Sequence, residues 1–321
     1  MKRIALLLGV ICLTVPLLAQ QTAVFTEANL AYKRGMSFYD QGLFAKAQSE
    51  FKDAVNLLLP VNEEEAELLR TKAELYYAKC AVQLNHPDGE KLILDFIRTH
   101  SPDPIANQAL IDIANYYFNA EDYDKAIDYF TKVPVNSMAR EQRAEAKFKM
   151  GYSFFVKKQF ANAKNNFIDI KDIPGDYFYP TNYYLGLCYF FEGAYDNAIR
   201  SFRVAEQYDK YKPQIPYYIA QIYFAERRYD ELIAYAEPKL ADRGLQKEKE
   251  IRQLIGQSHF EKGDYAKALP HLEYYAERTG RMREEEFYQL GFAYYKTGAY
   301  QKAIPNFEEL ANVESQLAQY A

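Results

Sequence analysis

Small and aromatic residues recur along this chain at fixed offsets. A small residue is followed three positions later by an aromatic, then usually by a second aromatic, an Ala, and a Phe or Leu. The set reads Gly35, Phe38, Phe44, Ala47 and Phe51, and returns as Ala114, Tyr117, Tyr123, Ala126 and Phe130. It recurs as Gly151, Phe154, Phe160, Ala163 and Phe167, and as Gly186, Tyr189, Tyr195, Ala198 and Phe202. Later copies begin at Ala220 (Tyr223, Tyr229), Gly256 (His259, Tyr265, Ala268, Leu272) and Gly291 (Tyr294, Tyr300, Ala303, Phe307). A degenerate copy around Cys80 brings the number to eight. Successive small residues are 45, 34, 37, 35, 34, 36 and 35 positions apart. A fixed period of this length predicts a solenoid, in which each unit stacks on its neighbours because none can bury both faces alone.

Each unit reads as two short helices joined by a tight turn. Asn182 to Phe191 is apolar at helical spacing, Glu192-Gly193-Ala194 breaks it, and Tyr195 to Glu206 resumes it with Ala198, Phe202 and Ala205 on one stripe. The small residue lets the two helices approach closely. The expectation is that the second-helix Ala lies opposite it and that the final Phe covers the junction with the next unit. Two copies depart from the pattern. The second has Cys80 at the small position, Gln83 for the aromatic, and His86-Pro87-Asp88-Gly89 as its turn. The sixth has Leu232 for Ala, Ala236 for the aromatic, and Pro238 within its second helix. Irregular packing and lower local stability are expected at both.

These residues resemble the tetratricopeptide repeat family. The resemblance covers about 28–321, with repeats near 28–61, 73–106, 107–140, 144–177, 179–212, 213–246, 249–282 and 284–317. It implies an all-α fold, a right-handed α-solenoid of about eight helix-turn-helix repeats over 21–321. It also implies a binding wall on the first helices, at positions two, five, nine and twelve when the small residue is eighth. Position five supplies Tyr32, Tyr77, Phe148, Tyr183, Tyr217 and Tyr288. Position nine supplies Tyr152 and Phe292; position twelve supplies Tyr39, Phe118, Phe155, Phe190, Phe224 and Tyr295, with Leu84 in the second unit. These fourteen aromatics are the candidate partner-binding residues, and Phe148, Phe155, Tyr183 and Tyr217 are expected to be partly exposed. The family's pocket for a C-terminal carboxylate uses Lys, Asn and Arg on the first helices, and the aromatic position five does not carry it over.

Composition sharpens this picture. The chain has 321 residues with 30 Tyr, 21 Phe and no Trp. Residues 1–20 carry a basic start, Lys2-Arg3, and an apolar run from Ile4 to Val15, which reads as a secretory signal peptide. Ile11 precedes Cys12 where a lipid-anchored leader places a small residue, so lipid anchoring is not expected. Without Lys2 and Arg3, 37 basic residues face 44 acidic ones, a net charge of −7. That balance argues against nucleic acid or an anionic membrane surface as the main partner. Cys80 and Cys188 fall in different units and read as separate packing thiols. Among His86, His100, His259 and His271 none has a partner at metal-ligand spacing, and His259 sits at a core aromatic position. There is no phosphate loop and no nucleophile elbow. Glu63-Glu64-Glu65 and Glu284-Glu285-Glu286 stand at first-helix starts, where they complement the helix dipole.

The sequence therefore predicts a non-enzymatic scaffold without cofactor or metal, exported to the periplasm or outer membrane of a Gram-negative bacterium. Its partner is expected to be a protein or peptide segment laid against the aromatic wall. The alternative is a cell-envelope glycan binder, which would concentrate coplanar aromatics beside Asp, Asn or Arg; a peptide groove would flank them with charged and amide residues. Ser315 to Ala321 reads as the opening of another first helix, with Phe307 and Leu310 uncovered, so a longer protein or self-association through the C-terminal repeat is expected.

Overall fold

The computed structural model of the chain describes residues 22–311. The expected leader and the reading of Ser315 to Ala321 lie outside these residues. Among the described residues there are sixteen α-helices and no strand. They divide into two compact units that meet in sequence at Lys157 and Lys158. The first holds α1 (22–40), α2 (Phe44–Leu58), α3 (Glu64–Gln83), α4 (Gly89–His100), α5 (Pro104–Asn119), α6 (Tyr123–Lys132) and α7 (Arg140–Val156). The second holds α8 (Phe160–Ile168), α9 (Phe178–Phe191), α10 (Tyr195–Ala205), α11 (Ile215–Ala225) and α12 (Tyr229–Lys239). It continues with α13 (Glu248–Glu261), α14 (Tyr265–Arg278), α15 (Glu284–Lys296) and α16 (Tyr300–Glu308). Within each unit consecutive helices pack on each other. First helices also touch the next first helix, α3 on α5, α5 on α7, α11 on α13 and α13 on α15. That is the layering of a stacked helical repeat.

The turns stop the first helices by a single device. In seven of the eight helix-turn-helix steps the first helix ends five residues after the small position, and three residues follow before the second helix. The middle one has positive φ: Gly42, Glu121, Lys158, Gly193, Arg227, Gly263 and Gly298. A left-handed residue turns the chain out of the helix and lets following amides reach its free carbonyls. Gly193 N–H donates to Phe190 O and Ala194 N–H to Tyr189 O; Arg227 and Arg228 repeat this on Phe224 and Tyr223.

The same count corrects the second repeat. Helix α3 ends at Gln83 and its turn, residues 84–88, is two residues longer than the others. Counting back five places Ala78, not Cys80, at the small position. Ala78 and the ring that faces it in the pattern, Phe96, belong to one core cluster. Cys80 packs instead with Ala47 and Phe51 of the preceding repeat. The longer turn hid the register, because the spacing was read from Cys80.

The ring of the second helix lies directly against the small residue. A Cβ on Gly186 would lie 2.6 Å from Cδ1 of Phe202, and one on Gly35 would lie 2.7 Å from Cε1 of Phe51. Phe51 and Phe202 are fully buried, and each then stacks on a tyrosine of the next first helix. Phe51 lies 5.3 Å from Tyr76 and Phe202 lies 5.5 Å from Tyr218, centroid to centroid. In the sixth repeat Leu232 and Ala236 are both fully buried. The larger side chain at one position makes up volume lost at the other, while Pro238 lies inside α12 as expected. The two thiols, Cys80 and Cys188, are free and buried, and burial pushes each up to about 12. At the end of the described chain Leu310 is fully buried and Phe307 half-buried, so neither is uncovered as the sequence suggested.

Ion pairs one repeat apart line the turns. Asp124, Asp196 and Asp230, each second in its helix, pair with Lys157, Arg228 and Lys262. The aspartates are at least three-quarters exposed, so solvent screens each pair and it contributes little. Ring contacts and close helix crossings hold the stack.

Two outcomes are expected. Gly186→Leu should cost about 1–3 kcal/mol or more through overpacking against Phe202, and hydrogen exchange should rise first in α9 to α11. Uniform exchange along the chain would contradict this. Gly193→Ala should cost about 1 kcal/mol because of its positive φ, whereas Arg227→Gly should be neutral or stabilising; urea midpoints of the two variants, moving in the same direction, would contradict the turn argument.

Candidate partner-binding site

In the first unit, first helices α1, α3 and α5 frame a cleft of about 160 Å³. Tyr39 of α1, Lys79, Val82 and Gln83 of α3, and Asp112, Asn115 and Asn119 of α5 line it. A second cleft of about 130 Å³, between α5 and α7, shares Asn115 and adds Gln108, Gln142 and Glu145. The two openings flank a seam of polar side chains. Lys79 Nζ is 2.8 Å from Asp112 Oδ2, and Gln108 donates to the other oxygen of Asp112 at 3.0 Å. Lys149 Nζ donates to Asn115 Oδ1 at 2.8 Å and to Glu145 at 2.5 Å.

Aromatic rings surround this seam. Lys79 Nζ sits 4.6 Å from the Tyr76 ring centre and 5.3 Å from that of Tyr39. Lys149 Nζ is 5.8 Å from the ring centre of Phe118. Burial opposes the charge of Lys79, but Asp112, by charge and hydrogen bond, and the two tyrosines outweigh it and raise its value. Burial likewise raises the Tyr39 hydroxyl, so it stays protonated and can donate at neutral pH. The wall thus alternates apolar ring faces with paired charges and amides, and its charges are locally balanced.

The candidate aromatics divide between wall and packing. In the first unit Tyr32, Tyr39, Phe118, Phe148, Tyr152 and Phe155 are half-buried. Phe118 meets Tyr123 at 6.1 Å and Tyr152 of the next repeat at 5.7 Å, both edge-on. Tyr77 does not join them: with Ala78 at the small position it leaves position five to Leu75. Tyr77 lines a different groove, of about 400 Å³, with Lys52, Val55, Leu92 and Phe96. The corrected register also gives position twelve to Val82, not Leu84.

In the second unit Phe190, Tyr217, Phe224, Tyr288 and Phe292 are half-buried and Tyr295 is 51% exposed. Tyr183 is only 7% exposed, which corrects the expectation of a partly exposed ring. It stacks on Tyr211 at 4.4 Å and its hydroxyl donates to Gln214 Oε1 at 3.0 Å. Tyr211 belongs to the segment between α10 and α11, which folds over the wall here. No repeat spacing signals that cover, so sequence reasoning missed it. Position twelve also packs across repeats, Phe190 on Tyr218 at 5.6 Å and Phe260 on Phe292 at 5.8 Å. Glutamines make polar contacts between first helices of this unit, Gln253 to Glu286 at 2.6 Å and Gln257 to Gln289 at 3.0 Å.

The polar members of the wall were also missed. Lys79, Asp112, Asn115 and Lys149 fall at positions six and nine of their repeats, beside the expected aromatics. The signal was available as polar residues interrupting an apolar first-helix face. Among the described residues no three His, Cys, Asp or Glu side chains are grouped to hold a metal ion. No described helix is long and apolar enough to cross a membrane.

A tetratricopeptide repeat family model matches residues 108–133, most of α5 and all of α6. No curated protein sequence matches the chain. Among solved structures, a tetratricopeptide repeat protein from Parabacteroides merdae is 14% identical, with a TM-score of 0.45 over 84% of this chain and 99% of that one. MamA of strain AMB-1 is 17% identical, with a TM-score of 0.39 over 58% and 93%. The Pseudomonas aeruginosa pilF protein is 10% identical, with a TM-score of 0.34 over 93% and 97%.

The division between packing and wall residues is testable. Tyr183→Ala should destabilise by about 3 kcal/mol or more, as loss of a buried ring does, whereas Tyr295→Ala should change stability by no more than about 0.5 kcal/mol. Equal shifts in denaturation midpoint would contradict the division.

Proposed function

We propose that this chain, a tetratricopeptide-repeat protein, is a non-catalytic scaffold of the bacterial cell envelope that holds a segment of another protein on its first-helix wall. The carrying observation is the paired clefts on either side of Asn115, where amides and balanced charges lie beside Tyr39 and Tyr116, with Tyr76 and Phe118 against Lys79 and Lys149. Such a surface suits a polypeptide. Its apolar side chains lie against rings, and its backbone amides exchange hydrogen bonds with Gln83, Asn115 and Asn119. Because Lys79 and Lys149 are already matched by Asp112 and Glu145, the partner segment is uncharged or mixed in charge, not strongly acidic.

The envelope location rests on Lys2-Arg3 and the apolar run Ile4 to Val15. The glycan reading has one observation in its favour. Tyr179 and Tyr208 are parallel within 5° and stacked at 5.3 Å, and Tyr208 is 45% exposed next to Asp209. Each of these rings covers one face of the other, however.

The test is recovery of a partner from an envelope extract on the immobilised chain. Gln83→Ala with Asn119→Ala should lower recovery at least about tenfold, because residues central to an interface carry most of its energy, with an unchanged denaturation midpoint. Protease treatment of the extract should abolish recovery. Recovery that survives protease and is lost in Tyr208→Ala would instead support glycan binding.

A further inference from the structure

The seventh repeat puts a histidine where most repeats put a Phe or Tyr. Position eleven is Phe38, Tyr117, Phe154, Tyr189, Tyr223 and Tyr294 in six of the other repeats, Ala81 in the second, and His259 here. His259, on α13, is 3% exposed, and its Nε2 lies 2.8 Å from Oε1 of Glu237, in the last turn of α12. Its Nδ1 is 3.8 Å from Asp264 Oδ2, in the turn before α14. A second imidazole, His271 of α14, lies nearly parallel at 6.2 Å and 19°. Its Nε2 is 3.9 Å from the same Glu237 oxygen. The Nδ1 atoms of both rings are buried and make no hydrogen bond.

One carboxylate oxygen therefore stands before two buried imidazoles. Glu237 is within hydrogen-bond distance of His259 alone. A proton on His271 would sit beside that ring and near Arg252 of α13, with no acceptor for its Nδ1–H. We propose that Glu237, His259 and His271 form an acid-sensitive latch between the sixth and seventh repeats. It is closed near neutral pH and releases the end of α12 on mild acidification, while the rest of the second unit stays folded.

The direction follows from the surroundings. Burial holds His271 below its ordinary value, Glu237 opposes this, and Arg252 and His259 add to it. A histidine depressed in the folded state costs nothing above its unfolded value of about 6.5 and destabilises progressively below it. Pro238 removes a backbone hydrogen-bond donor at the same helix end, so α12 has less to hold it once the latch opens.

Hydrogen exchange of the full chain at about pH 7.5 and about pH 5.5, on either side of the ordinary histidine value, tests this after correction for intrinsic rates. Protection of α12 and of the start of α14 should fall several-fold, up to the limit of about tenfold that one pH unit below the ordinary histidine value allows, while α9 and α10 keep theirs. His271→Phe should abolish the response. His271→Gln serves the same purpose should the larger ring fail to fold. Glu237→Gln removes the shared counterion and should move release to higher pH. A uniform response across the second unit, a response that survives loss of His271, or a release pH indifferent to Glu237→Gln would each overturn the latch.

Discussion

The contact between a small residue and a buried ring sets the geometry on which the rest of the structure depends. Gly35 under Phe51, Gly186 under Phe202 and Gly291 under Phe307 bring paired helices so close that no Cβ fits without movement. The other face of the ring is then free to stack on the next repeat, as Phe51 does on Tyr76 and Phe202 on Tyr218. One side chain thus fixes both the crossing inside a pair and the step to its neighbour. This explains why glycine and phenylalanine recur together sixteen residues apart, and why repeats without glycine at this position carry alanine.

The binding wall is a consequence of that arrangement. First helices touch one another along each unit, so side chains at positions six and nine meet partners about one repeat away. Lys79 reaches Asp112, Lys149 reaches Asn115, and Gln257 reaches Gln289. Their polar atoms prefer each other and water to the apolar interior, which keeps this face open while the rings between them are half-covered. The outcome is a surface with apolar area and fixed hydrogen-bonding groups, the combination a polypeptide segment needs.

Repeat architecture was legible in the sequence because stacking demands the same residue types at the same offsets. The helix-turn-helix boundaries near Gly186 and Tyr195 follow from Gly193 and the apolar period alone. The site was less legible. Tyr77 was misplaced because two extra residues in one turn shifted the register, and a shift of two moves a helical side chain to another face. Tyr183 was misplaced because Tyr211, in a connection with no periodicity, covers it. Lys79 and Asn115 went unnoticed because their importance lies in neighbours one repeat away, which no local pattern displays.

The central claim is that the first-helix wall of the first unit, and not the second-helix face, receives a polypeptide. A photoreactive residue placed in cells at Asn119, in the cleft, or at Lys132, near the end of α6, tests it directly. The account predicts a discrete protein adduct from position 119 and none from position 132. An adduct from position 132 alone, or none from position 119, would contradict it.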